Sequence, residues 1–268
     1  MAAGAIRLGT SAFTAAGWEG SFYPAGMKPA DFLHYYAQQF DSVEVDSTFY
    51  RTPSPAMVRR WKEQTPRGFL FAAKVQQKIT HEQVLVDCEQ DWKNFLSVMD
   101  LLEEKLGPLL FQFPYFNKKA FATVDDFLAR LVPFLKKLPK GYRFALEIRN
   151  KNWLVPKFAD ALRERGVTLA LIDHPWMPRP AEIFARFDPI TGSFAYIRWL
   201  GDRKGIEEIT KSWDKTIVDR RRELTEWANI CWKISGRGVP VFAYANNHYA
   251  GNAPATVRLF EKLLEKVA

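Results

Sequence analysis

Short apolar segments alternate with amphipathic segments along the whole chain. The apolar segments have the length and composition of strands buried on both faces, and they span residues 5–11, 42–47, 69–75, 108–113, 143–149, 167–173, 194–200 and 240–246. Between them, apolar side chains recur every three or four residues, which predicts helices. One such run extends from Trp92 to Leu106, and Gly107 is predicted to end it. Strands that alternate with helices predict a parallel sheet with helical crossovers.

The number of these units decides the fold class. Eight strand–helix units in 268 residues predict an α/β protein: a single (β/α)8 TIM-type barrel with parallel strands, spanning residues 1–268 as one domain. A doubly wound open sheet is the alternative. It would usually use fewer strands, and no GxGxxG motif follows the first predicted strand.

Polar side chains occupy interior positions near the carboxyl ends of the predicted strands, where TIM barrels carry their active sites. Because side chains alternate between the two faces of a strand, the polar residues predicted to face the interior are Ser11, Glu44, Asp46, Lys74, Gln112, Glu147, Arg149, Asp173, Tyr196, Arg198 and Asn246. Charges of both signs would limit the cost of burying them. Leu and Val would plug a barrel more simply, so this ring of polar residues favours a functional site.

The most specific hypothesis about catalysis concerns the segment RFALEIRNKNWL, residues 143–154. Apolar rings raise the pKa of a glutamate and neighbouring cations lower it, and such opposed influences can tune a carboxyl for acid–base chemistry. We therefore predict that Glu147 transfers a proton, that Arg149 orients the substrate and that Trp153 forms a wall over them. Lys74 and Asp173 are the other predicted catalytic residues. The alternative is that Glu147 only pairs with Lys74 or Arg198.

Aromatic residues follow several predicted strand ends and suggest a ligand that contains a ring. Trp18, Tyr50 and Trp153 are predicted to line the mouth of the barrel, where flat apolar walls suit a sugar or a base. Asn247 and His248, which follow the last predicted strand, complete the predicted binding residues. Lys74, Arg149 and Arg198 could clamp a phosphate or a carboxylate.

The strand ends together resemble the YecE-like family, also described as domain of unknown function 72. The resemblance covers nearly the whole chain. It is carried by Gly9-Thr10-Ser11, Trp18 with Tyr23-Pro24, VEVDSTFYRTP (43–53), FAAKVQQKITH (71–81), LLFQFP (109–114), LEIRNKNW (146–153), YIRWLG (196–201) and YANNHYAGNAP (244–254). The family implies a TIM-type barrel and supplies no reaction. One departure is Asp46, where the family pattern more often has Asn, and it adds a charge.

The net charge and the numbers of histidines and cysteines limit the partners, metal sites and compartment that we expect. The net charge of +8 and the pI of about 9.4 favour anionic partners, either a small molecule or a nucleic acid, although solvated surface lysines account for the charge equally well. Four histidines make a trinuclear zinc site improbable, and we predict at most a single divalent cation and no dedicated metal ligands. Two cysteines without metal or redox spacing, and no membrane span or signal peptide, predict a cytoplasmic protein.

Two classes of function follow from these features. The first is an enzyme, a hydrolase or a lyase, that acts on a substrate bearing phosphate or carboxylate by general acid–base chemistry. The second is a module that binds nucleic acid or oligonucleotides without catalysis, which steep salt dependence would reveal. The sequence leaves the substrate and the oligomeric state open.

Overall fold

The strands form one parallel barrel in the computed structural model, which describes residues 3–267. The strands are β1 (Ile6–Thr10), β2 (Ser42–Val45), β3 (Leu70–Lys74), β4 (Leu106–Gln112), β5 (Phe144–Glu147), β6 (Thr168–Asp173), β7 (Ala195–Trp199) and β8 (Val241–Ala245). Hydrogen bonds join them in the order β1-β8-β7-β6-β5-β4-β3-β2, and every pairing is parallel. The predicted (β/α)8 TIM-type barrel is confirmed.

Helices surround the strands and begin where local sequence satisfies their first turns. They are α1 (Phe32–Gln39), α2 (Pro55–Gln64), α3 (Glu89–Met99), α4 (Val124–Lys136), α5 (Pro156–Arg163), α6 (Pro180–Arg186), α7 (Arg203–Ile209), α8 (Arg221–Gly236), α9 (Asn247–Ala250) and α10 (Ala253–Val267). At α4, the Thr123 hydroxyl accepts from the Asp126 amide while the Asp126 carboxylate accepts from the Thr123 amide. This capping box fixes the start of the helix.

Interior side chains of the strands fill the lower part of the barrel. They form one apolar cluster: Leu70, Ala72, Leu110, Ala145, Ala170, Phe194, Tyr196, Phe242 and Tyr244. A packed interior leaves no pore. On β3, β4, β5, β7 and β8 the next interior positions toward the carboxyl ends are polar, so the charged side chains lie directly above this cluster.

Side chains connect β1 to β2 at the seam of the barrel. The Tyr36 hydroxyl of α1 accepts from the Thr10 amide at 2.8 Å and donates to the Ser42 carbonyl at 3.2 Å. A Cβ on Gly9 would lie 2.0 Å from the Ser42 carbonyl oxygen, so only glycine permits this approach. The Asp41 carboxylate accepts from the Leu8 amide at 3.1 Å. Tyr36 and Asp41 thus provide hydrogen bonds that a strand ladder would otherwise supply.

Within residues 3–267, no helix is both long and apolar enough to cross a lipid bilayer.

Because the Tyr36 hydroxyl connects β1 to β2 by hydrogen bonds, we expect it to stabilise the fold. Tyr36→Phe leaves the buried Thr10 amide without an acceptor, so we expect a loss of about 1–3 kcal/mol in the free energy of unfolding, measured by urea denaturation. Tyr35→Phe is the matched control on the same helix, because the Tyr35 hydroxyl has no hydrogen-bond partner in the described chain. It should change stability by less than about 0.5 kcal/mol. Equal stability of the two variants would contradict this role for the seam.

Candidate active site

A layer of charged side chains lies above the apolar cluster and is called the charged layer: Glu44, Asp46, Lys74, Glu147, Arg149 and Arg198. Arg198 of β7 lies at its centre and is almost completely buried, with 2% of its side chain exposed. Its Nε and one terminal nitrogen donate to Glu44 Oε1 at 3.0 and 2.7 Å. It also donates to Asp46 Oδ1 at 3.0 Å and to Glu147 Oε2 at 2.8 Å. Burial alone would lower the pKa of Arg198, but these carboxylates hold it well above its ordinary value. Arg198 is therefore a permanent cation that binds three acids together.

Glu44 of β2 is the carboxyl in this layer whose proton is held most strongly. Burial raises the pKa of Glu44 to about 7, against the influence of Arg198 and with a further contribution from the charge of Asp46. Its second oxygen accepts from the Tyr196 hydroxyl at 2.5 Å. Both Glu44 and Tyr196 were predicted to bind substrate, but both are fully buried. They support Arg198 from below.

Glu147 of β5 has the opposite titration behaviour. Burial would raise its pKa, but Arg149 and Arg198 outweigh burial and lower the pKa of Glu147 to about 2. One oxygen accepts from Arg149 Nε at 2.6 Å and the other from Arg198 at 2.8 Å, and the residue is fully buried. A carboxylate that stays ionised with both oxygens occupied is an anchor for the arginines. This geometry does not support the predicted proton transfer by Glu147.

Lys74 of β3 is the cation of the charged layer that forms no ion pair with a carboxylate of the described chain. Its Nζ lies 3.9 Å from the centre of the Phe49 ring and forms no ion pair within residues 3–267. Burial lowers the pKa of Lys74, although Asp46, Glu147 and Glu44 act in the other direction. Burial therefore prevails, and these carboxylates are bonded to Arg149 and Arg198 and not to Lys74.

Two histidines that the predicted site omitted lie beside these cations. Burial, followed by the charges of Lys74 and Arg149, lowers the pKa of His81 to about 4. Its ring packs edge-on against Phe49 at 4.9 Å, and its Nδ1 lies 2.9 Å from the Thr80 hydroxyl. Burial also lowers the pKa of His174, which responds to Arg149 as well. Both imidazoles are therefore neutral near pH 7.

His81 lies in a segment with unusual backbone conformation. Lys78–Glu82 forms a single π-helical turn directly after β3. The next residues include Val84 and Leu85 with φ of 44° and 66°, a left-handed conformation that costs energy for side chains other than glycine. Inserted π turns and backbone strain concentrate at functional sites. This segment therefore supports a functional role for His81.

Asp173 does not join this cluster, and the prediction that it does is wrong. Its carboxylate accepts from the Trp227 indole at 2.8 Å, from the Tyr249 hydroxyl at 2.8 Å and from Arg179 at 2.9 Å. These partners lie in the helix layer, and the strand neighbour Trp199 packs on Phe260 of α10. Asp173 therefore joins helices and loops outside the barrel, and His174 takes the interior position.

Of the three aromatic residues predicted to line the mouth, Trp18, Tyr50 and Trp153, only Tyr50 is open to solvent, with 69% of the residue exposed. Trp153 is buried against Phe127 and Phe116, at ring distances of 5.2 and 6.0 Å, so it packs on α4 and forms no wall over Glu147. Trp18 is buried and its indole donates to Asn247 Oδ1 at 3.2 Å. Trp18, Trp153 and Asn247 therefore stabilise the loops around the mouth.

Of the remaining predicted binding residues, Ser11, Asn246 and His248 lie next to the ends of β1 and β8, and Gln112 ends β4. Asn246 donates to the Ser11 hydroxyl at 2.9 Å, and its own oxygen accepts from the His248 amide at 3.0 Å. His248 Nε2 lies 2.9 Å from Glu207. Gln112 is buried and donates to the Phe113 carbonyl. The half-buried members Asn246 and His248 face the mouth, whereas Gln112 supports it.

Metal ligands are absent as a cluster from the described part of the chain. Among residues 3–267, no group of three or more His, Cys, Asp or Glu side chains is arranged to hold a metal ion. The expectation of at most a single divalent cation stays a prediction.

Comparisons with known proteins agree with this architecture. The family described as "Protein of unknown function DUF72" matches residues 7–268. The UPF0759 protein YecE of Escherichia coli K12 is 30% identical over 146 residues, which are 53% of this chain and 52% of YecE, so the match spans about half the length of that relative. The UPF0759 protein YunF of Bacillus subtilis is 25% identical over 93% of both chains.

A solved structure extends this similarity to the fold. The crystal structure of a DUF72 family protein from Thermotoga maritima is 28% identical, covers 97% of this chain and 99% of its own, and has a TM-score of 0.75. A DUF72 family protein from Enterococcus faecalis is 23% identical, with a TM-score of 0.69 and 98% coverage of both chains.

The anchoring role of Glu147 predicts a large loss of stability when its charge is removed. Glu147→Gln leaves two arginines short of a buried partner, so the free energy of unfolding in urea at pH 7 should fall by about 3–5 kcal/mol. Asp188→Asn is the control, because Asp188 pairs with Arg237 while both side chains are about half exposed. It should cost less than about 1 kcal/mol. Similar losses for the two variants would exclude the anchoring role.

The raised pKa of Glu44 predicts a specific pH dependence. Between the ordinary value of 4.5 and about 7, the folded protein holds a proton on Glu44 that the unfolded chain has released. The contribution of Glu44 to stability is therefore full below pH 4.5 and declines as pH rises through this window. Glu44→Gln does not titrate, so its stability relative to the original protein should rise from pH 4.5 to 7.

Urea denaturation of both proteins across this window measures that difference directly. Titrations of groups whose pKa the charge of Glu44 does not shift, such as His81, occur in both proteins and cancel in the subtraction. A difference that stays constant from pH 4.5 to 7 would show that Glu44 is ionised throughout.

Proposed function

The chain belongs to the DUF72 family, and we propose that it is an enzyme that binds an anionic substrate at the carboxyl ends of its barrel strands and acts on it by general acid–base chemistry. The observation that carries this proposal is Lys74, an interior lysine whose ammonium group has no carboxylate partner while three acids around it are bound to arginines. Such a group is costly to bury unless a ligand pairs with it.

Arg149 supplies the second contact for an anion. Only its Nε is engaged, by Glu147, so its terminal nitrogens have no hydrogen-bond partner in the described chain, and 23% of the side chain is exposed. Two adjacent N–H groups of an arginine match a phosphate or carboxylate. Glu44 and Glu147 are fully buried, and Asp46, with 28% of its side chain exposed, is bonded to Arg198. Lys74 and Arg149 are thus the charged groups available to a ligand.

We assign proton transfer to Lys74 and His81, because burial lowers the pKa of both groups. Lys74 loses its proton more easily than an ordinary lysine, which suits a general acid that is reprotonated in each cycle. His81 is neutral, and its Nε2 has no partner within residues 3–267, so it is free to accept a proton or a hydrogen bond. Glu147 holds the arginines in place. Hydrolysis and elimination can each use such a pair of acid and base.

Lys74→Met tests the anion site without adding a polar group. We expect calorimetry at low salt to detect inorganic phosphate or a phosphorylated sugar bound to the original protein, and Lys74→Met to bind at least about tenfold more weakly, because hydrogen bonds to charged groups contribute about 1.5–3 kcal/mol. Lys136→Met, an exposed lysine in the last turn of α4, is the control and should bind normally. Absence of anion binding, or equal binding by Lys74→Met, would reject the proposal.

A further inference from the structure

Three neighbouring loops at the mouth of the barrel contain no acidic residue. They are residues 113–123, 148–155 and 174–179, which follow β4, β5 and β6 and lead to α4, α5 and α6. Their cations are Lys118, Lys119, Arg149, Lys151 and Arg179. Because β4, β5 and β6 are adjacent in the barrel, these loops form one continuous surface, which we call the basic sector.

Most cations of the basic sector are unneutralised. Arg179 is bonded to Asp173 and Glu226, but Lys118, Lys119 and Lys151 are exposed and form no ion pair in the part of the chain that the structure describes. The loop after β7 is different: residues 200–220 carry five acidic and five basic side chains. The excess of positive charge at the mouth is therefore confined to one side of it, beside Arg149.

Two large aromatic rings are exposed within the same sector. Tyr115 is 69% exposed and Trp176 is 79% exposed, although apolar rings of this size usually gain stability from burial. Trp176 forms a T-shaped pair with His174 at a ring distance of 5.3 Å, and its 79% exposure leaves most of the ring surface open. Exposed rings among unpaired lysines are the combination that binds phosphates and stacks bases.

We propose that the basic sector binds a single-stranded nucleic acid, whose phosphates contact Lys118, Lys119 and Lys151 and whose bases stack on Tyr115 and Trp176. The strand leads one of its phosphates to Lys74 and Arg149, so this inference rests on the proposed function and names its substrate class. A duplex hides the faces of its bases, and an acidic peptide offers no regular series of flat rings. A single strand offers both phosphates and free base faces at every step.

Salt dependence measures the phosphate contacts. Fluorescence anisotropy should detect binding of a labelled oligothymidylate of about 12 nucleotides, and the slope of log Kd against log salt reports the number of phosphates contacted. For Lys118→Ala/Lys119→Ala we expect weaker binding and a slope that is smaller by about 1.4, which is about 0.7 for each lost contact. The charge-matched control is Lys136→Ala/Lys140→Ala, which removes one exposed lysine from the last turn of α4 and one from the turn between α4 and β5, away from the mouth. It should keep the original slope.

Trp176→Ala tests stacking separately from charge. Loss of one stacked base should weaken oligothymidylate binding by about 5- to 150-fold and leave the salt slope unchanged. Trp232→Ala removes a tryptophan of α8 that is 41% exposed, and it should bind normally. Binding that neither the Lys118/Lys119 pair nor Trp176 affects would overturn the inference.

The same reagents separate this inference from the proposed function. If phosphate binds through Lys74 but the oligonucleotide binds no more tightly than a mononucleotide, the inference fails and the anion site stands. If the oligonucleotide binds through the basic sector but Lys74→Met changes the binding of neither ligand, the basic sector still binds a single strand, no phosphate reaches Lys74, and the proposed function fails. Equal or tighter binding of a duplex would overturn the choice of a single strand.

Discussion

The buried guanidinium of Arg198 is the interaction on which the rest of the site depends. A cation removed from water at the top of an apolar barrel core needs anionic partners, and Glu44, Asp46 and Glu147 supply them. Three carboxylates around one arginine leave an excess of negative charge. Arg149 and Lys74 restore the balance, but only Arg149 makes a direct contact. The network therefore accounts for a lysine that is held near the mouth without a partner of its own.

Unequal sharing of arginines explains why two buried glutamates of the same layer titrate in opposite directions. Glu147 has one arginine on each oxygen and remains ionised. Glu44 shares Arg198 with Asp46 and receives its other hydrogen bond from a neutral tyrosine, so burial prevails and raises its pKa. In the proposed function, acid–base chemistry therefore falls to Lys74 and the neutral His81 and not to the carboxylates. The carboxylates hold the geometry that keeps these groups available.

Strand alternation made most of this layer predictable from the sequence, because the two faces of a buried strand differ in what they contact. Glu44, Lys74, Glu147 and Arg198 all occupy the interior positions that their strands indicate. Asp173 is the exception: Ala170 and Ile172 face the interior on β6, so strand alternation assigns the next interior position to His174 and directs Asp173 to the helix layer.

Features that depend on distant parts of the chain were not predictable in the same way. Trp153 follows a strand end as a wall residue would, but Phe127 and Phe116, far away in sequence, bury it. The predicted helix through Leu106 ends at Met99, and Gly107 lies in β4, where its missing side chain allows close approach to the Phe71 carbonyl. No local pattern marks the π turn that carries His81. The sequence signals for His81 are its place shortly after a strand and at the end of the segment FAAKVQQKITH, and neither of them indicates a π turn.

The most direct test of this account is the titration of the Lys74 ammonium group, followed by the nitrogen resonance of its Nζ and assigned by the signal that Lys74→Met removes. The account predicts that Lys74 titrates below the ordinary lysine pKa of 10.5 in the free protein, because it is desolvated and has no carboxylate partner. Addition of phosphate should raise that pKa, because the bound anion stabilises the charged form. A Lys74 that titrates with the surface lysines and does not respond to phosphate would contradict the account.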